Sequence, residues 1–155
     1  MSAARAVLIP ADIRFPLERA SGVQIVKTAA ALARAGTPTT LLVRKSDPRP
    51  TSEILADYGA DAHPGLEVRR LGVLHRRGSF LLPRASFLLR ALLHAARALR
   101  GGGLVFTRDL QLADLLVRLP AGRAVVYEAH AVEALMYAER AALYGTGARA
   151  DPAKA

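Results

Sequence analysis

The chain has 155 residues, 52% of them hydrophobic and 23% charged, which suits one globular domain with a sizeable core and excludes a disordered chain. It contains no cysteine, so disulfides and thiol-based metal or nucleophile chemistry are excluded, and no apolar run approaches the ~20 residues of a membrane-spanning helix. The net charge of +9 comes from 22 basic and 13 acidic residues, and it is carried by nine arginines (69, 70, 76, 77, 84, 90, 97, 100 and 108) in the acid-free window between Glu67 and Asp109. Such asymmetry points either to an anionic partner or to a general arginine bias in composition.

The first ten residues have too short an apolar core for a secretory leader, and they meet Pro10 at once, so a cytoplasmic protein is expected. Residues 6–9 read as a strand covered on both faces. After a polar loop, Ser21 and Gln24 have the spacing of a capping box. Ile25, Ala29 and Leu32, with Val26, Ala30 and Ala33, then follow helical periodicity up to Gly36, which stands where a C-cap glycine belongs. Residues 39–43 read as a second strand, completing a βαβ unit. A short helix is expected over 52–58, a strand over 66–74, a turn at 76–78 and a long helix over 86–100 closed by Gly101, Gly102 and Gly103. Further strands are expected at 104–106 and 124–127, and further helices at 109–119 and 131–144. This alternation predicts a single doubly wound, Rossmann-like α/β lobe with a parallel sheet over residues 1–144, followed by a loose tail at 145–155.

Ligands of such sheets bind beyond the carboxyl ends of the strands, which directs attention to loops 10–22, 44–50, 107–109 and 128–131. Gly22 opens the first helix, where free N–H groups and the helix dipole favour a phosphate or sugar; it is otherwise a permissive helix-entry residue. Neither G-x-G-x-x-G nor the P-loop pattern is present, which disfavours a nicotinamide dehydrogenase and a P-loop NTPase. Arg108 follows a strand, and its planar fork can hold a phosphate or carboxylate there, or pair with Asp109 or Asp12. Thr107 or Asp109 can cap the helix that follows. Glu128 and His130 alternate on an extended segment and so share a side. They can meet a sugar hydroxyl, or serve as a salt-bridged glutamate and a helix-capping histidine. His63 and His75 sit in polar stretches, and His94 shares a helix face with Arg90 and Arg97 that is expected to face solvent. That helix is either a basic amphipathic surface segment or a packed sheet helix.

The stretch Arg14-Phe15-Pro16-Leu17-Glu18-Arg19-Ala20-Ser21-Gly22-Val23-Gln24 resembles the amino-terminal domain of family 4 glycosyltransferases. So do Leu32-Ala33-Arg34-Ala35-Gly36 followed by residues 39–43, Thr107-Arg108-Asp109, and Tyr127-Glu128-Ala129-His130. The likeness covers about residues 5–143, in order and spacing. It implies a GT-B architecture of two Rossmann-like lobes, with the amino lobe shaping the acceptor site and the carboxyl lobe binding most of a nucleotide-sugar. It implies sugar transfer with retention, no bound metal, and no cofactor beyond the nucleotide-sugar co-substrate. Gly22 falls where the family places a glycine near the donor phosphates, although the family often has two adjacent glycines and here Ser21 and Val23 flank one. His130 matches a histidine that touches the donor sugar, and is expected to be catalytic. Gly22, Arg108 and Glu128 are expected to bind substrate.

The family's second lobe, with its paired glutamates, has no counterpart in these residues, so no transferase activity is expected from them alone. The alternative is a non-catalytic α/β module that binds an anionic ligand or membrane surface through residues 69–108. Peripheral contact with an anionic membrane at its inner face is compatible with both readings. Nucleic acid is not expected as a partner, because Phe80, Phe87 and Phe106 sit in apolar runs rather than on a stacking platform.

Overall fold

The computed structural model describes residues 5–16, 20–75, 81–119 and 124–129. Five strands alternate with four helices among these residues: β1 Val7–Phe15, α1 Ala20–Arg34, β2 Thr39–Lys45, α2 Thr51–Asp57, β3 Leu66–Leu71, α3 Leu81–Arg100, β4 Leu104–Thr107, α4 Leu110–Val117 and β5 Val125–Tyr127. All strand pairs are parallel, in the order β3-β2-β1-β4-β5. The expected Rossmann-like α/β fold is therefore present, with helices on both faces of one sheet.

The strand period of two divides the core between those faces. Ile9, Leu41 and Val43 face α1 and α2, where they meet Ile25, Val26, Ala29, Ile54 and Leu55. Leu8, Leu42 and Val105 face the other way, onto Phe87, Ala91, Leu99, Leu112 and Leu116 of α3 and α4. The central strands are thus buried on both sides, which explains their continuous apolar runs. Burying each large aliphatic side chain contributes about 1.5–3 kcal/mol. At the carboxyl end of β1, Phe15 stacks on Tyr58 with centroids 5.6 Å apart, tying the end of α2 to the sheet.

Several boundaries differ from the sequence expectation, each for a physical reason. Strand β1 does not end at Pro10. It pairs with β2 from Val7↔Thr39 to Pro10↔Leu42, then resumes at Arg14↔Arg44 and Phe15↔Lys45. Four residue steps on β1 lie against two on β2 between those pairs, which is a bulge. The irregularity tolerates a proline that has no N–H to give. Helix α1 begins at Ala20, so Ser21 lies in its first turn and is not its N-cap. Helix α3 begins at Leu81 rather than Ser86, with Pro83 in its first turn, where a missing N–H is harmless. Ser86 is buried instead: its hydroxyl donates to Pro83 O and accepts from Leu74 N, both at 3.0 Å. Strand β3 stops at Leu71, short of residue 74.

The helix stops follow from glycine. Gly36 has φ +84° just past α1, and it and Thr37 donate to Ala33 O and Leu32 O, the hydrogen-bond pair of a Schellman turn. After α3 Gly102, with φ +78°, takes the same part and donates to Leu99 O at 3.1 Å, while Gly103 donates to Ala98 O at 2.9 Å. A Cβ there would lie 3.0 Å from that oxygen and 3.1 Å from Ala6 O, so the turn and the start of β1 touch backbone to backbone.

Candidate functional site

The sheet order reverses between β1 and β4: the chain runs outward from β1 through β2 and β3, then crosses to β4 on β1's other side. At such a switch point the flanking loops part and leave a crevice at the carboxyl edge. A concavity of about 200 Å³ lies there, lined by Pro10, Ala11, Asp12 and Ile13 of the β1 bulge, Ser21 and Ile25 of α1, Arg84 of α3, and Arg108 and Asp109 after β4. The bulge carries Asp12 and its neighbours to this edge instead of into the ladder with β2.

The charged groups form a chain of alternating sign. Asp12, only 9% exposed, takes both forks of Arg44, through its Nε and through Nη2 at 2.6 Å. Arg84 approaches Asp12 at 3.8 Å and donates to Asp109 at 3.0 Å. Asp109 caps α4, its other oxygen accepting from Leu112 N at 3.0 Å, and its own N–H reaches the hydroxyl of Thr107 at 3.1 Å. Of the two capping residues the sequence offered, Asp109 holds the helix and Thr107, fully buried, holds Asp109.

Arg108 pairs neither with Asp109 nor with Asp12. Those carboxylates belong to Arg84 and Arg44, and Arg108 donates to Glu128, at 2.7 Å from Nε and 2.6 Å from Nη2. Its side chain is 11% exposed against 39% for Glu128. Its guanidinium carbon lies 6.0 Å from the Phe106 ring centroid, at the outer limit of a cation–π contact. Its remaining nitrogen, Nη1, is buried and has no hydrogen-bond partner among the described residues. A buried unsatisfied donor costs about 1–3 kcal/mol, more when charged, and this one belongs to a side chain that lines the crevice.

The structure pairs Arg108 with Glu128, a partner the sequence had not assigned to it, and puts Arg108 in the crevice wall. Gly22 is buried in the first turn of α1, whose crevice-lining residues are Ser21 and Ile25. His130 lies outside the described residues, as do the turn at 76–78 and the helix expected over 131–144. Asp12, Arg44 and Arg84 escaped the sequence reading as a group. Residues 12, 44 and 84 are far apart in the chain, and the only available signal was their position after strands and at a helix start.

His94 is half-buried rather than fully solvent-facing, and burial, aided by Arg69 and Arg97, lowers its pKa against the raising effect of Glu67. The hydrogen bond from Arg69 holds Glu67 below the ordinary carboxylate range. The backbone N–H of Arg49 does the same for Asp47. None of these lies in the crevice. Among the described residues, no group of three or more His, Asp or Glu side chains could hold a metal, and no helix is long and apolar enough to cross a membrane. No family model matches the chain, and no curated protein matches it significantly.

Proposed function

We propose that the chain is the acceptor-side lobe of a retaining glycosyltransferase of the two-lobed GT-B type, with the switch-point crevice as its half of the sugar-transfer pocket. The observation that carries this reading is the Arg108 guanidinium, buried in the crevice wall with a donor nitrogen unpaired. That donor is closed to water in the unbound chain, and a small turn of the Arg108 fork would offer it to a phosphate or hydroxyl oxygen of a nucleotide-sugar or its acceptor. Glu128 orients the fork, and Ser21 in the first turn of α1 lines the same crevice. Stabilising a leaving nucleoside diphosphate needs further donors from a second lobe, so these residues alone are expected to release none.

Saturation-transfer NMR with a panel of nucleotide-sugars, and with NAD as a control, tests the reading. Sugar-ring protons should receive saturation in the native chain and lose it in Arg108→Gln, while NAD receives none. Equal signals for the native and Arg108→Gln chains, or a signal from NAD alone, would contradict it.

A second reading, contact with an anionic membrane surface, has one observation of its own. Leu81, Leu89 and Leu93 stand 51–73% exposed on α3. On the same helix Arg90, Arg97 and Arg100 are exposed and form no ion pair among the described residues. Sedimentation with anionic and neutral vesicles decides it, and equal, negligible binding to both would remove it.

A further inference from the structure

A second concavity, of about 360 Å³, lies beside the crevice on the same carboxyl rim, lined by Arg14, Arg44, Lys45, Ser46, Val73 and His75. Its chemistry is one-sided: among the described residues the lining holds two arginines, a lysine and a histidine, and no carboxylate.

Strand register creates this arrangement. Arg14 is the partner of Arg44, and Phe15 of Lys45, where β1 and β2 resume pairing after the bulge. Register partners in a ladder share a face, so two arginines are held side by side, a placement that like-charge repulsion disfavours. Arg44 is neutralised by Asp12. Arg14, Lys45 and His75 are exposed and have no ion-pair partner among the described residues. The backbone beneath them is fixed, because the Ser46 hydroxyl accepts from Phe15 N at 2.8 Å and donates to Phe15 O at 2.7 Å. Arg14 and Lys45 are therefore mounted on clamped strand ends, while His75 stands in the segment after β3.

A tetrahedral dianion suits such a cluster, since it offers several strong acceptor oxygens to a fork and an ammonium at once. Nucleic acid suits it poorly, since among the described residues the lining has no Phe, Tyr or Trp on which a base could stack. An immersed membrane surface also suits it poorly, since among the described residues Val73 is its only aliphatic side chain and is half-buried.

We infer that this rim pocket binds the phosphate of a phosphomonoester through Arg14 and Lys45, with His75 at its edge. It shares a wall with the crevice, because Asp12 lines one and its ion-pair partner Arg44 lines the other. Resting on the transferase reading, the phosphate belongs to the sugar acceptor, whose hydroxyl then reaches toward the crevice.

The test is calorimetric titration with inorganic phosphate and with glucose 1-phosphate, and glucose as the uncharged control. Three chains are compared: the native one, the rim double variant Arg14→Gln/Lys45→Gln, and a charge-matched double variant, Lys27→Gln/Arg34→Gln, on the exposed face of α1. The rim variant should weaken glucose 1-phosphate binding by about tenfold or more, given the strength of charged hydrogen bonds. The α1 variant should change it less than about twofold, as expected of screened surface charge. Sedimentation with vesicles containing phosphatidic acid separates the sources. Binding to these vesicles that is lost in the rim variant, without binding of the soluble esters, assigns the phosphate to a lipid headgroup. Absence of binding to both, or binding that survives the rim variant, overturns the inference. Rim-dependent glucose 1-phosphate binding without Arg108-dependent nucleotide-sugar contact leaves the pocket standing and removes the transferase reading.

Discussion

Asp12 does more for the carboxyl rim than any other single residue. It is 9% exposed and answers both Arg44 and, at longer range, Arg84. Removing one partner of a buried ion pair leaves the other uncompensated, at a cost of about 3–5 kcal/mol. Because both arginines here keep some contact with water, Asp12→Asn should destabilise the fold by about 3 kcal/mol in urea denaturation. A loss under about 1 kcal/mol would show that the pair is solvent-screened like an ordinary surface bridge. His94 supports a prediction of the opposite kind. Its folded pKa lies below the ordinary value of 6.5, so between the two values the unfolded chain binds more protons than the folded one. Stability then rises with pH through that window and falls on acidification below 6.5. Replacing His94 with Gln should flatten the slope near pH 6, as measured by midpoints in buffers from pH 5 to 8. An unchanged slope would place its origin elsewhere. Glu67 and Asp47 act at lower pH: both are depressed by arginine hydrogen bonds, so their contribution is present above their unfolded values and is lost as pH falls through the folded ones.

The elements were legible where one physical signal dominated. The βαβ unit of β1, α1 and β2 was readable because a helical period lies between two short apolar runs. Gly36 marked the stop of α1 as expected. The misses share a cause, namely tertiary context overriding a local signal. Pro10 looked like a strand terminator, yet it is the last paired position before the bulge, where the ladder breaks in any case. Ser86 looked like a helix start, yet its hydroxyl is spent inside α3, which begins a turn and a half earlier around Pro83. The site was half legible. Arg108 and Glu128 sat after strands and could be proposed from position, but the Asp12–Arg44–Arg84 chain depends on the bulge and on the sheet order, which no local pattern encodes. The turn after α3 carries a sharp test. Gly103→Ala would force a Cβ to within 3.1 Å of two backbone oxygens that cannot swing away. It should destabilise by about 1–3 kcal/mol, as overpacking does, whereas Ala98→Gly, which removes atoms from a helix interior, should cost only about 1 kcal/mol. Equal effects would mean that the contact relaxes freely.

For the whole molecule, strand order and charge placement converge on one edge. The order β3-β2-β1-β4-β5 opens a crevice between β1 and β4, and the β1 bulge turns Asp12 and Arg14 toward that edge. The net charge of +9 raises the potential of any concavity that lacks carboxylates. The crevice itself is close to balanced, because its arginines already hold Asp12, Asp109 and Glu128. It therefore selects by an unsatisfied donor rather than by bulk attraction, and binding there should weaken little between about 0.05 and 0.5 M salt, unlike binding at the rim pocket. The most direct test of the central claim is a map of backbone and arginine Nε–H resonances as a nucleotide-sugar is added. Shifts should concentrate at Ser21, Ile25, Arg108 and Asp109 around the switch point. Shifts scattered over the amino edge of the sheet, or confined to the exposed face of α3, would contradict it.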